Sequence, residues 1–552
     1  MTELTEASHQ PGQAGLDVII VGAGFAGLRM LHRLREAGFS VRVLESGGGV
    51  GGVWYWNRYP GARCDVASLD YSYSFSSELD QEWTWSERYA AQPEILRYVN
   101  HVADRYGLWQ DIQLHKRVTA AEFAEDEGRW SVRTEQGEVL TATWLVMATG
   151  CLSVPKTLDI EGLDSFQGKT FHTATWPHEP VDFTGERVAV IGTGSSGTQL
   201  IPIVAEQAAR LTVFQRTPNF SVPARNAPID PAEQAKLKAT YPERRRKLFN
   251  STSGMSVPVF KDSALDATPE QRRERYESQW GQVGFGFVLS YADLLTDERA
   301  NETAAEFIRG KIGEIVRDPD TAEKLMPRGY PFGAKRPCVD SGYYETFNRA
   351  NVSLVDLRED PIETVTPDGI RTASGEHTVD SIVFATGFDA MTGALSRIDI
   401  RGRGGRSLRD KWAAGPTTYL GVAVAGFPNM FIVAGPGSPS VLTNVIVSIE
   451  QHASWLGELI SYARARGAVT VEAEEPAEQG WVAHVNEAAA ATLYPRARSW
   501  YLGDNVPGKR RVFMPYVGGV RGYRRICEGV AERDYEGFRI ATPSVALDGK
   551  AS

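Results

Sequence analysis

Two short glycine clusters carry the first chemical information in this 552-residue chain. Gly22-Ala23-Gly24-Phe25-Ala26-Gly27 and Gly192-Thr193-Gly194-Ser195-Ser196-Gly197 each follow an apolar run and open a helical pattern. Such a turn lets backbone N–H groups and a helix N-terminus approach a pyrophosphate, so both predict dinucleotide binding. The residue eighteen places after the third glycine differs: Glu45 in the first, Gln215 in the second, with Arg216 next. A carboxylate there accepts from a ribose hydroxyl and repels a 2′-phosphate, whereas a guanidinium fork attracts one. The alternative for Arg216 is a surface cap on its strand. The first site, with Gly22, Gly24, Gly27 and Glu45, suits FAD. The second, with Gly192, Gly194, Ser195, Ser196, Gly197 and Arg216, suits NADPH. A flavin beside a nicotinamide implies hydride transfer to the flavin and onward delivery of electrons. Cys64, Cys151, Cys338 and Cys527 form no C-x2-C or C-x4-C pair. That disfavours a disulfide reductase, offers no metal spacing, and leaves molecular oxygen or a free electron acceptor.

The elements that must hold these turns are legible around them. Asp17 to Val21 reads as a strand, Leu28 to Ala37 as a helix and Val41 to Leu44 as a second strand. Arg187 to Ile191, Thr198 to Ala209 and Leu211 to Phe214 repeat the pattern. Two strands end in Ala-Thr-Gly, at Ala148-Thr149-Gly150 and Ala385-Thr386-Gly387, each late in its own unit. The expected fold class is therefore α/β: two nested Rossmann-like dinucleotide-binding domains, the second inserted into the first. Expected bounds are 1–150 and 388–552 for the FAD domain, 151–227 and 336–387 for the NADP domain, and 228–335 for a helical insertion in the latter. Within the insertion, Pro231 to Asn250 and Pro269 to Trp280 read as helices, and Arg244-Arg245-Arg246-Lys247 reads as a solvated helix face.

Bulk properties exclude other classes. The chain is 42% hydrophobic and 23% charged, as globular proteins are, and its net charge of −10 argues against nucleic-acid binding. The longest apolar candidate, Tyr419 to Gly437, is interrupted by Gly426, Pro428 and Asn429, so no membrane span is expected. Met1 to Gly15 reads as a loose tail without a signal peptide, and the expected setting is cytoplasmic.

One contiguous pattern goes further. Phe166-Gln167-Gly168-Lys169-Thr170-Phe171-His172-Thr173-Ala174-Thr175-Trp176-Pro177 matches F-x-G-x-x-x-H-T-x-x-W-P at every defined position, through Phe166, Gly168, His172, Thr173, Trp176 and Pro177. It resembles the fingerprint of the Baeyer–Villiger monooxygenases. Gly52-Val53-Trp54 through Cys64-Asp65 looks like their second pattern. The likeness runs from about Asp17 to about Phe538 and is nearest to the phenylacetone and steroid monooxygenases. Other flavin monooxygenases, including N-hydroxylating ones, carry Tyr or Phe where Trp176-Pro177 stands.

The resemblance implies NADPH- and oxygen-dependent conversion of ketones to esters or lactones through a C4a-peroxyflavin, with sulfoxidation as a side activity. It implies Arg336 as the active-site arginine, oriented by Asp65. A guanidinium cannot lose its proton, so it can stabilise negative oxygen throughout a reaction. By the same resemblance Lys335 and Thr217 join Arg216 at the 2′-phosphate, Gly52 and Trp54 lie against the flavin, and Trp500 lies near NADP and substrate. The segment Gly435 to Val445 lines the ketone site, with Leu442 and Val445 as its apolar wall. His172 is expected to couple NADP binding to domain movement rather than to act as a base. The rival readings are an NADPH oxidase or diaphorase, an N- or S-oxygenating flavin monooxygenase, and a redox sensor that binds both nucleotides.

Overall fold

The apolar run before the first glycine turn becomes the strand Leu16–Val21, with Val18, Ile19 and Ile20 fully buried. In this computed structural model, which describes residues 15–156, 159–282 and 284–542, that strand is near the centre of the larger sheet. It pairs in parallel with Val41–Leu44 on one side and Val139–Met147 on the other. A strand buried on both faces needs cover on both, and the helix Phe25–Glu36 supplies one side through Leu28, Leu31 and Leu34. The sequence-expected tail before Gly15 lies outside the described residues.

After Met147 the chain leaves this sheet and builds a second one. Five strands, Val352–Asp356, Arg210–Gln215, Arg187–Ile191, Ser381–Phe384 and Lys169–His172, lie side by side in that order, all parallel. The chain then returns to the first sheet with Asp399–Arg401 beside Val118–Ala124 and Met430–Ile432 beside Val139–Met147. The long helix Val445–Ala465 packs against Phe25–Glu36. The result is α/β, with one glycine-turn unit set inside the other.

The stretch between the second unit's strands is helical: Pro231–Ala239, Tyr241–Phe249, Pro269–Gln279, Glu298–Ile315 and Pro319–Leu325. Its two ends are joined by the parallel pair Ser221–Pro223 and Cys338–Asp340. Two sequence expectations need correction here. The single helix expected from Pro231 to Asn250 is two, because Pro242 has no N–H to give and the first helix stops at Thr240. The basic run is also not a solvated face throughout. Arg244 pairs with Asp70 at 2.6 Å, and Arg245 is buried against Asp80 at 2.6 Å.

Candidate active site

Both glycine turns open onto one cavity of about 1790 Å³. Gly22, Gly24, Glu45, Gly52 and Trp54 line it from the first unit; Gly192, Gly194, Ser195, Ser196, Arg216 and Thr217 line it from the second. Gly27 and Gly197 instead sit beneath the turns. A Cβ on Gly27 would lie 1.9 Å from the Gly22 carbonyl oxygen, so glycine here lets helix and strand approach. Gly24 and Gly52 face each other across the mouth of the first turn, where added Cβ atoms would meet backbone at 3.4 and 3.1 Å. This bare backbone cradle fits a pyrophosphate.

The ribose positions diverge as their residue types require. Glu45 accepts from Ala23 N at 2.7 Å through Oε2 and from Gly47 N at 2.7 Å through Oε1. Oε1 also accepts from Ser46 Oγ at 3.2 Å, while Oε2 keeps a second lone pair, so the carboxylate can brace its own loop and still accept from a hydroxyl. In the second unit Gln215 is fully buried, and its Nε2 donates to the Lys324 carbonyl at 2.8 Å. Its neighbour Arg216 is exposed in the cavity wall. Lys335 lines the same wall with its Nζ 4.3 Å from the Tyr330 ring centroid. Burial first, then Arg216 and Arg498, push the Lys335 pKa down to about 8.

Arg336 and Asp65, far apart in sequence, meet in this cavity. Arg336 Nε donates to Asp65 Oδ2 at 2.7 Å and Nη2 to Oδ1 at 2.9 Å, a two-bonded fork. Nη1 donates to the Val441 carbonyl at 2.7 Å, and the Phe285 ring lies 4.6 Å from the guanidinium carbon. Burial opposes charge on Arg336, but the Asp65 carboxylate outweighs it and holds the arginine pKa above its ordinary value. Burial likewise opposes charge on Asp65, and Arg336 reverses that, so the carboxyl stays below its usual range. The Tyr501 hydroxyl, raised to about 12 by burial despite Arg336, is neutral. Phe285 comes from the helical insertion and left no signal in the sequence.

The fingerprint occupies the strand Lys169–His172 and the turn after it, at the edge of the second sheet. His172 Nδ1 accepts from Ala174 N at 3.0 Å. Its proton is therefore on Nε2, which faces Thr386 Oγ1 at 3.3 Å, in the second Ala-Thr-Gly. Burial holds its pKa below the ordinary value, and it is not among the residues lining the cavity. Thr173 Oγ1 donates to the Phe384 carbonyl at 3.4 Å; Trp176 stacks on Phe171, with centroids 5.3 Å apart. Phe166 packs on the second unit's core, and a Cβ on Gly168 would lie 2.4 Å from the Asp380 carbonyl. Pro177 follows the turn without lining the cavity.

The expected apolar wall is placed one residue differently. Val445 lines the cavity, as does Trp500, but Leu442 does not; Val441 does. Ser440–Leu442 is a 3-10 turn, in which successive side chains point about 120° apart. Leu442 packs half-buried against the cluster containing Tyr494, Tyr501 and Met514.

A family described as pyridine nucleotide-disulphide oxidoreductase matches residues 19–263. That match spans both glycine turns, while all four cysteines are free thiols. A phenazine N-monooxygenase of Lysobacter antibioticus is 44% identical over 95% of this chain and 96% of its own length. A Baeyer-Villiger monooxygenase of Pseudooceanicola batsensis is 43% identical over 95% and 96%. The solved structure of an oxidized steroid monooxygenase bound to NADP superposes with a TM-score of 0.92 at 52% identity, covering 96% of this chain and all of that one. The chain belongs to the Baeyer–Villiger monooxygenase family. A further member, solved as the OTEMO complex with FAD and NADP, gives a TM-score of 0.92 at 42% identity over 95% and 99% of the two chains. This Baeyer–Villiger monooxygenase is a FAD-containing, NADPH-dependent oxidoreductase. No described helix is long and apolar enough to cross a membrane.

Proposed function

We propose that the enzyme inserts one atom of molecular oxygen beside the carbonyl of a ketone, with Arg336 as the catalytic residue and Asp65 as the group that aims it. The observation that carries this reading is the half-buried two-bonded Arg336–Asp65 pair in the cavity shared by the two glycine turns. The first turn, with Gly22, Gly24 and Glu45, is read as holding FAD, and Gly52 and Trp54 as bordering its flavin. The second turn, with Arg216, Thr217 and Lys335, is read as holding NADPH. When bound, the flavin takes up the hydride and activates oxygen. The protein's part is electrostatic: a charge fixed by Asp65 and the Val441 carbonyl meets the negative oxygen that develops on the ketone, with no side-chain reorganisation. His172 is read as a tie between fingerprint and second sheet. The free cysteines agree with a cytoplasmic setting, which belongs to the same proposal.

The deciding experiment is a panel of cyclic, aryl-alkyl and steroidal ketones, scored by ester or lactone formed rather than by NADPH consumed. A sulfide arm tests sulfoxidation. The 44% identity to a phenazine N-monooxygenase favours one second reading, oxidation of an aromatic ring nitrogen, so phenazines belong in the panel. Nitrogen oxides without any ester would replace the ketone reading.

The pocket wall makes its own prediction. Val445→Met narrows the cavity and Val441→Ala widens it, while the Val441 carbonyl remains for Arg336. Each is expected to shift the ratio of kcat/KM between small and bulky ketones by about 10- to 100-fold, the usual worth of a methylene or two in an apolar pocket. NADPH-driven flavin reduction should not change. An unaltered ketone profile with only a lower melting temperature would make both residues packing.

Lys335 makes the coenzyme preference depend on pH. Burial first, then repulsion from Arg216 and Arg498, push its ammonium pKa down to about 8, with Asp504 opposing. Below that pH it is charged and attracts a 2′-phosphate; above it the attraction fades. kcat/KM for NADPH should therefore fall as pH rises through about 8, while the NADH profile lacks that limb. Superimposable profiles would remove Lys335 from the coenzyme site.

A further inference from the structure

Four cations line the cavity near the second glycine turn: Lys156, Arg216, Lys335 and Arg498. Arg216 repels both Lys156 and Lys335, and Arg498 repels Lys335, so they form one group. Other cations of the cavity wall are neutralised, Arg336 by Asp65, Arg63 by Glu87 and Arg358 by Asp356, although Arg397 also lacks an ion pair. Among the described residues these four have no ion-pair partner. A chain of net charge −10 that leaves clustered cations unpaired is holding open a place for an anion. Arg216 and Lys335 are accounted for by the coenzyme reading, but Arg498 is not. It lies two residues before Trp500, whose ring is 4.3 Å from that of Tyr501.

We propose that Arg498 is a further coenzyme-specificity residue, which binds the 2′-phosphate together with Arg216 and Lys335 and so ties the Trp500 segment to the presence of that phosphate. The inference rests on reading the second turn as the NADPH site. A phosphate brings about −1.5 to −2 charges and three acceptor oxygens, enough for several donors at once. A guanidinium supplies a planar fork to it. With NADH the mutual repulsion of the cations has no counterion, and the segment bearing Arg498 loses its attachment. Because the contact is to the adenosine end, it changes binding and segment position, not the hydride transfer itself.

The test titrates FAD-loaded enzyme calorimetrically with 2′,5′-ADP and with 5′-AMP. Arg498→Gln is expected to weaken 2′,5′-ADP by about tenfold or more, the size of a lost charge-assisted hydrogen bond, and to leave 5′-AMP unchanged. Arg498→Lys should recover part of the loss. In hydrogen exchange, NADP should protect the amides of residues 498–505 more than NAD does, and Arg498→Gln should abolish that difference. Unchanged 2′,5′-ADP binding, an equal loss for both ligands, or equal protection by NAD and NADP would overturn the proposal. Arg216→Ala separates the two levels. If it weakens 2′,5′-ADP while Arg498→Gln does not, only this inference fails; if it too has no effect, the NADPH reading of the turn fails.

Discussion

Replacing Arg336 by alanine is expected to lower ester formation by about 10²- to 10³-fold, the usual cost of removing one preorganised charge-stabilising donor. NADPH-driven flavin reduction should stay near the wild-type rate, because hydride transfer does not place negative charge on the ketone. The two rates separate the arginine's electrostatic role from a general loss of structure. Alanine also leaves Asp65, only 23% exposed, without its partner, so some loss of stability accompanies it. Arg336→Lys is the control for that effect. It keeps a positive charge but cannot make the fork to both Asp65 oxygens, and it should retain the fold while recovering only part of the activity. Normal ester yield in folded Arg336→Ala would remove this residue from the chemistry.

The second large effect is on stability and falls on Arg245. Its guanidinium donates to Asp80 at 2.6 Å, Ser72 Oγ at 2.6 Å, and the Leu69 and Tyr73 carbonyls at 3.2 Å each. Burial opposes its charge, but the Asp80 hydrogen bond and carboxylate hold its pKa above the ordinary value. Its helix, Tyr241–Phe249, belongs to the insertion, and all four partners belong to the 65–80 region of the first unit. Arg245→Ala would strand the buried Asp80, a change that costs about 3–5 kcal/mol. Opening of the helical insertion should then be favoured by roughly 10²- to 5 × 10³-fold, read as faster native-state proteolysis within 231–325. Adding Asp80→Leu to Arg245→Met should restore much of the loss, since no charge is then left unpaired. Cleavage within tenfold of wild type for Arg245→Ala would mean that the insertion is docked by other contacts.

These two arginines also mark where the sequence could be read and where it could not. The glycine turns were legible because everything that makes them work is local: three glycines, a strand before, a helix after, and one residue eighteen places on. The fingerprint is equally contiguous. Arg336 was proposed only through resemblance, because its partners Asp65, Phe285 and Val441 come from distant stretches that no spacing connects. Arg244 and Arg245 were misread for the same reason. A basic run looks like a wet helix face until Asp70 and Asp80 arrive from another part of the chain. Leu442 was displaced by Val441 because a 3-10 turn has neither of the periodicities used to choose a side. Arg498 gave no signal at all, since being unpaired is a property of the folded surroundings.

The nesting of the two units has a consequence for how the chain is made. Leu16–Val21, Val41–Leu44 and Val139–Met147 leave the ribosome early, yet Met430–Ile432, which lies against Val139–Met147, comes after the whole second sheet and its helical insertion. Helix Val445–Ala465, the cover for Phe25–Glu36, comes later still. The inserted unit carries all five of its parallel strands between Lys169 and Phe384 and can close on itself during synthesis. The unit that begins first must therefore finish last, with an apolar sheet flank uncovered for most of translation, and the nascent chain is exposed to aggregation there rather than in the part that begins later.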